Sequence, residues 1–218
     1  MNHQEIANCL KKFNEVSDRT LTIIDYGNVQ KWDKSLGWQI GIKELANLVK
    51  NFSRGSSFLR RFYYGSDYGR NEKTPIMTPW CSNIMNKARM NNFEIITKNV
   101  KYIPDGNYKK GYTKKCNLDI EMAVDMLIEK NNYDRIVLFS GDGDMAYILK
   151  YLKRTYNKES YIFCARNHIA KEFIDSMKED VIKKIFFAED FIYRLERKNL
   201  IKSKIHPQRC ISNKIRQA

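Results

Sequence analysis

The residues of this 218-residue chain best suited to chemistry are aspartates that follow apolar runs. In "IIDYGNV", Asp25 closes such a run, Gly27 lets the chain turn and Asn28 projects an amide. In "LFSGDGDM", Gly141 and Gly143 bracket Asp142, and Asp144 follows, making an elbow at which backbone and carboxylate can approach a ligand closely. Ordinary structural roles compete for some of these positions. Asp and Asn beside a glycine are turn and cap residues, and Asp144 stands where the N-cap of a helix beginning "MAYILKYLK" is expected. Asp142 is less readily explained that way.

A third acidic group emerges when residues 116–130 are placed on a helix at about 100° per residue. Glu121, Asp125 and Glu129 then form one stripe at four-residue spacing, the pattern of a solvated edge. Asp119 instead falls between Ala123 and Met126, inside the arc that carries Leu118, Met122 and Leu127. A carboxylate on a buried face is costly unless a cation or hydrogen bonds satisfy it. Lys115, four residues earlier, is the local candidate, and a bound metal is the other. Crowding Asp25, Asp119, Asp142 and Asp144 into one pocket would bring strong mutual repulsion. A divalent cation resolves it, and an oxygen-only donor set favours a hard ion, Mg²⁺ or Mn²⁺, over zinc. Such ions polarise phosphoryl oxygens and activate water, so the chemistry implied is phosphodiester hydrolysis.

The elements that must position these residues are legible as an alternation. β-branched or aromatic runs at "LTIID" (21–25), "SFLRRFYYG" (57–65), "FEIIT" (93–97), "RIVLFS" (135–140), "SYIFCA" (160–165) and "KKIFFA" (183–188) read as strands. Helical spacing separates them at about 40–52, 80–91, 116–130, 143–155, 167–178 and 188–197. Strands alternating with helices predict an α/β fold with a doubly wound, mostly parallel sheet covered by helices on both faces. Ligands of such sheets collect beyond the carboxyl ends of the strands where the topology reverses, which is where Asp25 and Asp142 would meet. One domain over 21–197 is expected, preceded by an N-terminal helical extension (1–20) and followed by a basic tail (198–218).

Composition narrows the function classes. The formal net charge of +14 favours a polyanionic partner, with nucleic acid the default, against the blander reading of biased lysine usage. The five cysteines show no C-x-x-C spacing and the three histidines stand apart, so neither a zinc site nor a disulfide scaffold is suggested. No run is long enough for a membrane helix, and the first residues lack the order of a signal peptide, so a cytoplasmic protein without a membrane partner is expected. The segment "KNVKYIPDGNYKKGYTKK" (98–115) interleaves lysines with tyrosines, a composition suited to single-stranded nucleic acid. Lys98, Lys101, Tyr102, Tyr108, Lys109, Lys110, Tyr112, Lys114 and Lys115 are its candidate contacts, a solvated loop being the plainer reading. Arg60, Arg61 and Arg70 add charge among the tyrosines of "SFLRRFYYGSDYGR".

The motifs "IIDYGNV", "KKCNLDIEMAVDM" and "LFSGDGDM", in this order on these elements, resemble the NYN domain family of the PIN-like nuclease superfamily, with "FFAEDFIYRL" a looser match. The resemblance spans roughly Leu21 to Leu195 and implies a PIN-like α/β fold and metal-dependent ribonuclease activity on RNA, with DNA not distinguished from it. It also implies that Asp25, Asp119, Asp142 and Asp144 are the acidic positions and Asn28 the asparagine that follows the first. Asp125 matches a further family aspartate and ranks below these four, because the helical wheel puts it on the solvated stripe. Met145 stands where the family usually has phenylalanine. A catalytically inactive RNA-binding or regulatory module of the same fold is the main alternative. A haloacid-dehalogenase-like phosphatase is disfavoured, because "DYG" puts glycine where its second aspartate belongs.

Overall fold

The computed structural model describes residues 3–16, 19–52, 59–70, 76–104 and 111–198. The apolar runs become six strands of one parallel sheet, β1 (Thr20–Asp25), β2 (Leu59–Tyr63), β3 (Glu94–Ile96), β6 (Arg135–Phe139), β7 (Glu159–Cys164) and β8 (Ile182–Phe187). Two further strands, β4 (Lys101–Pro104) and β5 (Tyr112–Lys115), pair antiparallel in a separate hairpin. Order across the main sheet is β3-β2-β1-β6-β7-β8, so β1 and β6 are the central neighbours, with Ile24 opposite Phe139. From β1 the chain crosses to β2 on one side, whereas β6 leads on to β7 on the other. The reversal therefore lies between the two strands that carry Asp25 and Asp142, as the alternation predicts.

Nine helices surround the sheet: α1 (His3–Val16), α2 (Tyr26–Val29), α3 (Asp33–Leu36), α4 (Ile42–Val49), α5 (Pro79–Met90), α6 (Asp119–Ile128), α7 (Ala146–Tyr156), α8 (Lys171–Lys178) and α9 (Ile192–Leu195) among the described residues. Every residue of β6 is buried, consistent with a central parallel strand covered on both faces. Aromatic side chains dominate the interior. Phe139 and Phe163 stack with centroids 4.7 Å apart, and Phe52 and Phe186 extend the cluster. Each such buried side chain stabilises the fold by about 1.5–3 kcal/mol relative to exposure.

The N-terminal extension is less separate than its sequence suggests. Ile6, Leu10 and Phe13 of α1 are buried in the same core. Arg135, 1% exposed at the start of β6, donates to the Phe13 carbonyl, the Thr20 hydroxyl (2.8 Å) and the Phe52 carbonyl (3.3 Å). Its guanidinium also lies 3.8 Å from the Phe13 ring centroid. One buried cation thus ties α1 to the sheet, with a hydrogen-bonded or aromatic partner on several sides. Of the tail, residues 199–218 lie outside the described residues.

Two expectations need correction. Residues 98–115 are not simply a loop, because Lys101–Pro104 and Tyr112–Lys115 form the β4–β5 hairpin. The acidic stripe on α6 is not a solvated edge either. Asp125 bonds the Arg61 guanidinium at 2.8 Å and the Tyr63 hydroxyl at 2.6 Å, and Glu129 bonds Arg61 at 2.6 Å. Arg61 itself is 8% exposed on β2. The helix turns its acidic side toward the sheet because this buried cation must be neutralised. Ile120, Val124 and Ile128, at the same four-residue spacing, face solvent instead.

Candidate active site

The site assembles at the carboxyl ends of β1 and β6. β1 stops at Asp25, whose side chain caps the short α2 by accepting the Asn28 amide at 3.1 Å. Its other oxygen accepts the Ser140 hydroxyl at 3.0 Å. The same Ser140 oxygen accepts the Asp142 amide at 3.1 Å, so a single hydroxyl couples the first aspartate to the elbow after β6. Asn28 makes a second tie. Its side-chain oxygen accepts from the Gly141 amide (3.1 Å) and from the Trp32 indole (2.8 Å). Gly141 is required by proximity, since a Cβ there would lie 1.9 Å from the His168 carbonyl oxygen.

In the elbow the cap is Asp142 rather than Asp144. Its side chain accepts the Asp144 amide at 3.2 Å and opens a turn of 3-10 helix, Gly143–Met145, that runs into α7. The cap thus lies two residues before the position expected for it, because the tight turn precedes the α-helix. Asp119 arrives from the first turn of α6, where its amide donates to the Asn117 side chain at 2.8 Å. Asp119, Asp142 and Asp144 each offer an oxygen such that all three lie within 4.8 Å of one another. Asp25 is not in that group, although it lines the same cavity of about 370 Å³ together with Asp119 and Asp142.

The electrostatics are those of uncompensated negative charge. Burial, then the charges of Asp142, Asp144 and Glu121, push the Asp119 carboxyl above its usual range. Burial, opposed only in part by Asn28 and Ser140, pushes Asp25 up to about 6, with Asp119 adding to the rise. Lys115, the cation weighed as a partner for Asp119, is exposed on β5 and makes no ion pair among the described residues. Three converging carboxylates with no ion-pair partner among the described residues fit a hard divalent ion, which takes oxygen donors and offsets this repulsion.

The lysines and tyrosines of 98–115 are dispersed. Lys98 pairs with Glu121 at 2.7 Å. Tyr102 and Lys114 both bind Asp67, at 2.6 and 2.7 Å, which fastens the hairpin to the segment after β2. The Arg70 guanidinium sits 5.1 Å from the Tyr112 ring centroid. Lys101 and Lys115 are exposed, and Lys114 borders the cavity. Tyr108, Lys109 and Lys110 lie outside the described residues. Ser140, Asp67, Lys31, Tyr64 and Trp80 also belong to the site or its rim and were not singled out from sequence. Ser140 alone carried a signal, as the residue joining an apolar strand to the elbow.

Among the described residues, no helix is long and apolar enough to cross a membrane. The NYN domain model matches residues 19–184. The Low amplitude and bright protein LabA of Synechococcus elongatus is 39% identical over 61 residues, 28% of this chain and 33% of LabA, so the match spans about a third of that relative. The crystal structure of VPA0982, a protein of unknown function from Vibrio parahaemolyticus, superposes with a TM-score of 0.59 over 78% of this chain and 92% of that one. At 16% identity this is a likeness of fold.

Proposed function

The chain belongs to the NYN domain family, and from that premise we propose that it is a metal-dependent ribonuclease that hydrolyses phosphodiester bonds of single-stranded RNA. The family gives it a nuclease-like fold with nucleic acid as the implied substrate. The observation that carries the finer reading is the convergence of Asp119, Asp142 and Asp144 on one point, with no lysine or arginine ion-paired to them among the described residues.

Those three residues would hold Mg²⁺ or Mn²⁺, which when bound supplies phosphoryl polarisation and a more acidic water. Asp25 stands beside them with both oxygens hydrogen-bonded, so it contributes its charge across the cavity or through water. Its affinity for a proton, raised by burial, suits it to receive the proton released by the attacking water. Asp144, the most exposed of the four, orients that water, and Asn28 holds the elbow in place through Gly141. The basic surface retains the polyanionic backbone, with Lys31 and Lys114 nearest the cavity.

The test is cleavage of end-labelled single-stranded RNA by purified protein with Mn²⁺, alongside Asp142→Asn and a chelated control. Cleavage that disappears in chelator and falls at least ~100-fold in the variant supports the reading. Intact RNA with the parent protein, or equal rates for the variant, overturns it in favour of the non-catalytic RNA-binding module.

A further inference from the structure

Trp80 lies at the rim of the cavity that Asp25, Asp119 and Asp142 line, and it is 63% exposed. A large apolar ring left in water is common enough on a surface. This one also stands on an anchored stretch of backbone. It is the second residue of α5, behind Pro79 at the helix start. Tyr64, which lines the same cavity, donates its hydroxyl to the Gln30 side chain at 3.1 Å. Tyr64 is buried, and the adjoining Cys81 thiol bonds the Gly65 carbonyl at 3.3 Å. The Thr78 amide likewise donates to the Asp67 carbonyl at 2.7 Å. The helix start that carries the ring is thereby held by protein, while most of the ring is left to solvent beside the cavity.

A large flat side chain with two side-chain torsions, carried on anchored backbone, loses little conformational freedom when a second flat ring stacks on it. Beside it on the same cavity is Lys31, exposed and without an ion pair among the described residues. The cavity thus has carboxylates within, an ammonium group free for a phosphate and an aromatic platform for a base. At about 370 Å³ it is in the size range of small-ligand sites. Resting on the nuclease reading above, we infer that Trp80 is a specificity-determining residue that stacks one unpaired base while Lys31 takes the adjoining phosphate. A base inside a duplex is already stacked on both faces and cannot reach the ring, so Trp80 selects single-stranded over double-stranded substrate.

The experiment reads binding without turnover. Fluorescently labelled single-stranded RNA of about ten nucleotides and a duplex of the same length are titrated, in chelator, against the full chain and its Trp80→Ala and Trp80→Phe variants. Stacking on an aromatic side chain predicts that Trp80→Ala weakens single-strand binding about 10-fold or more. Trp80→Phe should stay within a few-fold, the weak duplex binding should not change, and parent tryptophan fluorescence should be quenched by the single strand. Unaltered melting temperatures establish that the exposed substitution leaves the fold intact. Equal affinity of the alanine and phenylalanine variants, an equal loss on duplex, or no single-strand binding by the parent overturns the assignment. Binding with these dependences but no cleavage when Mn²⁺ is supplied leaves Trp80 as assigned and removes only the nuclease reading.

Discussion

Replacing Asp25 by asparagine should stabilise the metal-free protein near neutral pH, although the residue lines the site. Burial raises its carboxyl from 3.8 in the unfolded chain to about 6 in the fold. The folded state therefore holds the proton more tightly than the unfolded state. The stability this confers is complete below about pH 3.8 and is lost as pH rises through about 6. At neutral pH the ionised side chain costs the fold roughly 3 kcal/mol relative to its protonated form. Between about pH 4.5 and pH 7.5 the linkage predicts a loss of about 2 kcal/mol from this group alone. Asparagine does not titrate, but it disturbs the bonds from Asn28 and Ser140, at a cost of roughly 1–2 kcal/mol that does not depend on pH. The difference in unfolding free energy between variant and parent should therefore swing by about 2 kcal/mol in favour of the variant across that interval. Urea unfolding in chelator, followed by fluorescence at both pH values, measures it, and groups that titrate alike in both proteins cancel. Saturating Mn²⁺ should then stabilise the parent more than the variant. Parallel pH dependence of the two proteins in chelator would refute the argument that Asp25 is a strained, desolvated charge.

Two contrasts probe the surroundings. Gly141→Ala puts a methyl group 1.9 Å from a backbone oxygen, whereas the methyl of Gly143→Ala first meets the end of the flexible Glu172 side chain at 2.5 Å and then the Ala170 Cβ at 2.9 Å. The first variant should lose about 1–3 kcal/mol in urea unfolding and most of its metal-induced rise in melting temperature, and the second should lose distinctly less of both. Asp125→Ala removes one partner of the buried Arg61 while Glu129 and Glu94 remain, so it should destabilise by roughly 2 kcal/mol in the same assay. Its metal-induced stabilisation at low temperature should be unchanged, in contrast to that of Asp119→Asn.

Periodicity and residue type carried the sheet. Uninterrupted apolar runs such as "RIVLF" can be buried on both faces only between parallel neighbours, and the alternation with helices fixed the side from which Asp25 and Asp142 emerge. The convergence of Asp119 with the elbow was legible for a similar reason, since a carboxylate within an apolar arc demands compensation. What escaped detection depends on partners distant in sequence. The α6 stripe at Glu121, Asp125 and Glu129 has the spacing of a solvated face, and only the insertion of Arg61 from β2 turns it inward. The β4–β5 hairpin was obscured because its strands are largely exposed, so burial leaves no alternation, and its anchor is Asp67, over thirty residues before it. The hydrogen bond that Asp25 accepts from Ser140 likewise joins residues more than a hundred positions apart, which residue type alone does not reveal.

One atom, the carboxamide oxygen of Asn28, serves both the Trp32 indole of the interior and the Gly141 amide of the elbow. Inheritance can therefore silence this site without touching an acidic residue. A change in the core that tips the buried Trp32 ring pulls on the elbow through that shared acceptor and takes Asp142 and Asp144 out of alignment with Asp119. A lineage that retains every acidic letter of the motif can for this reason keep the scaffold and lose the convergence of its carboxylates.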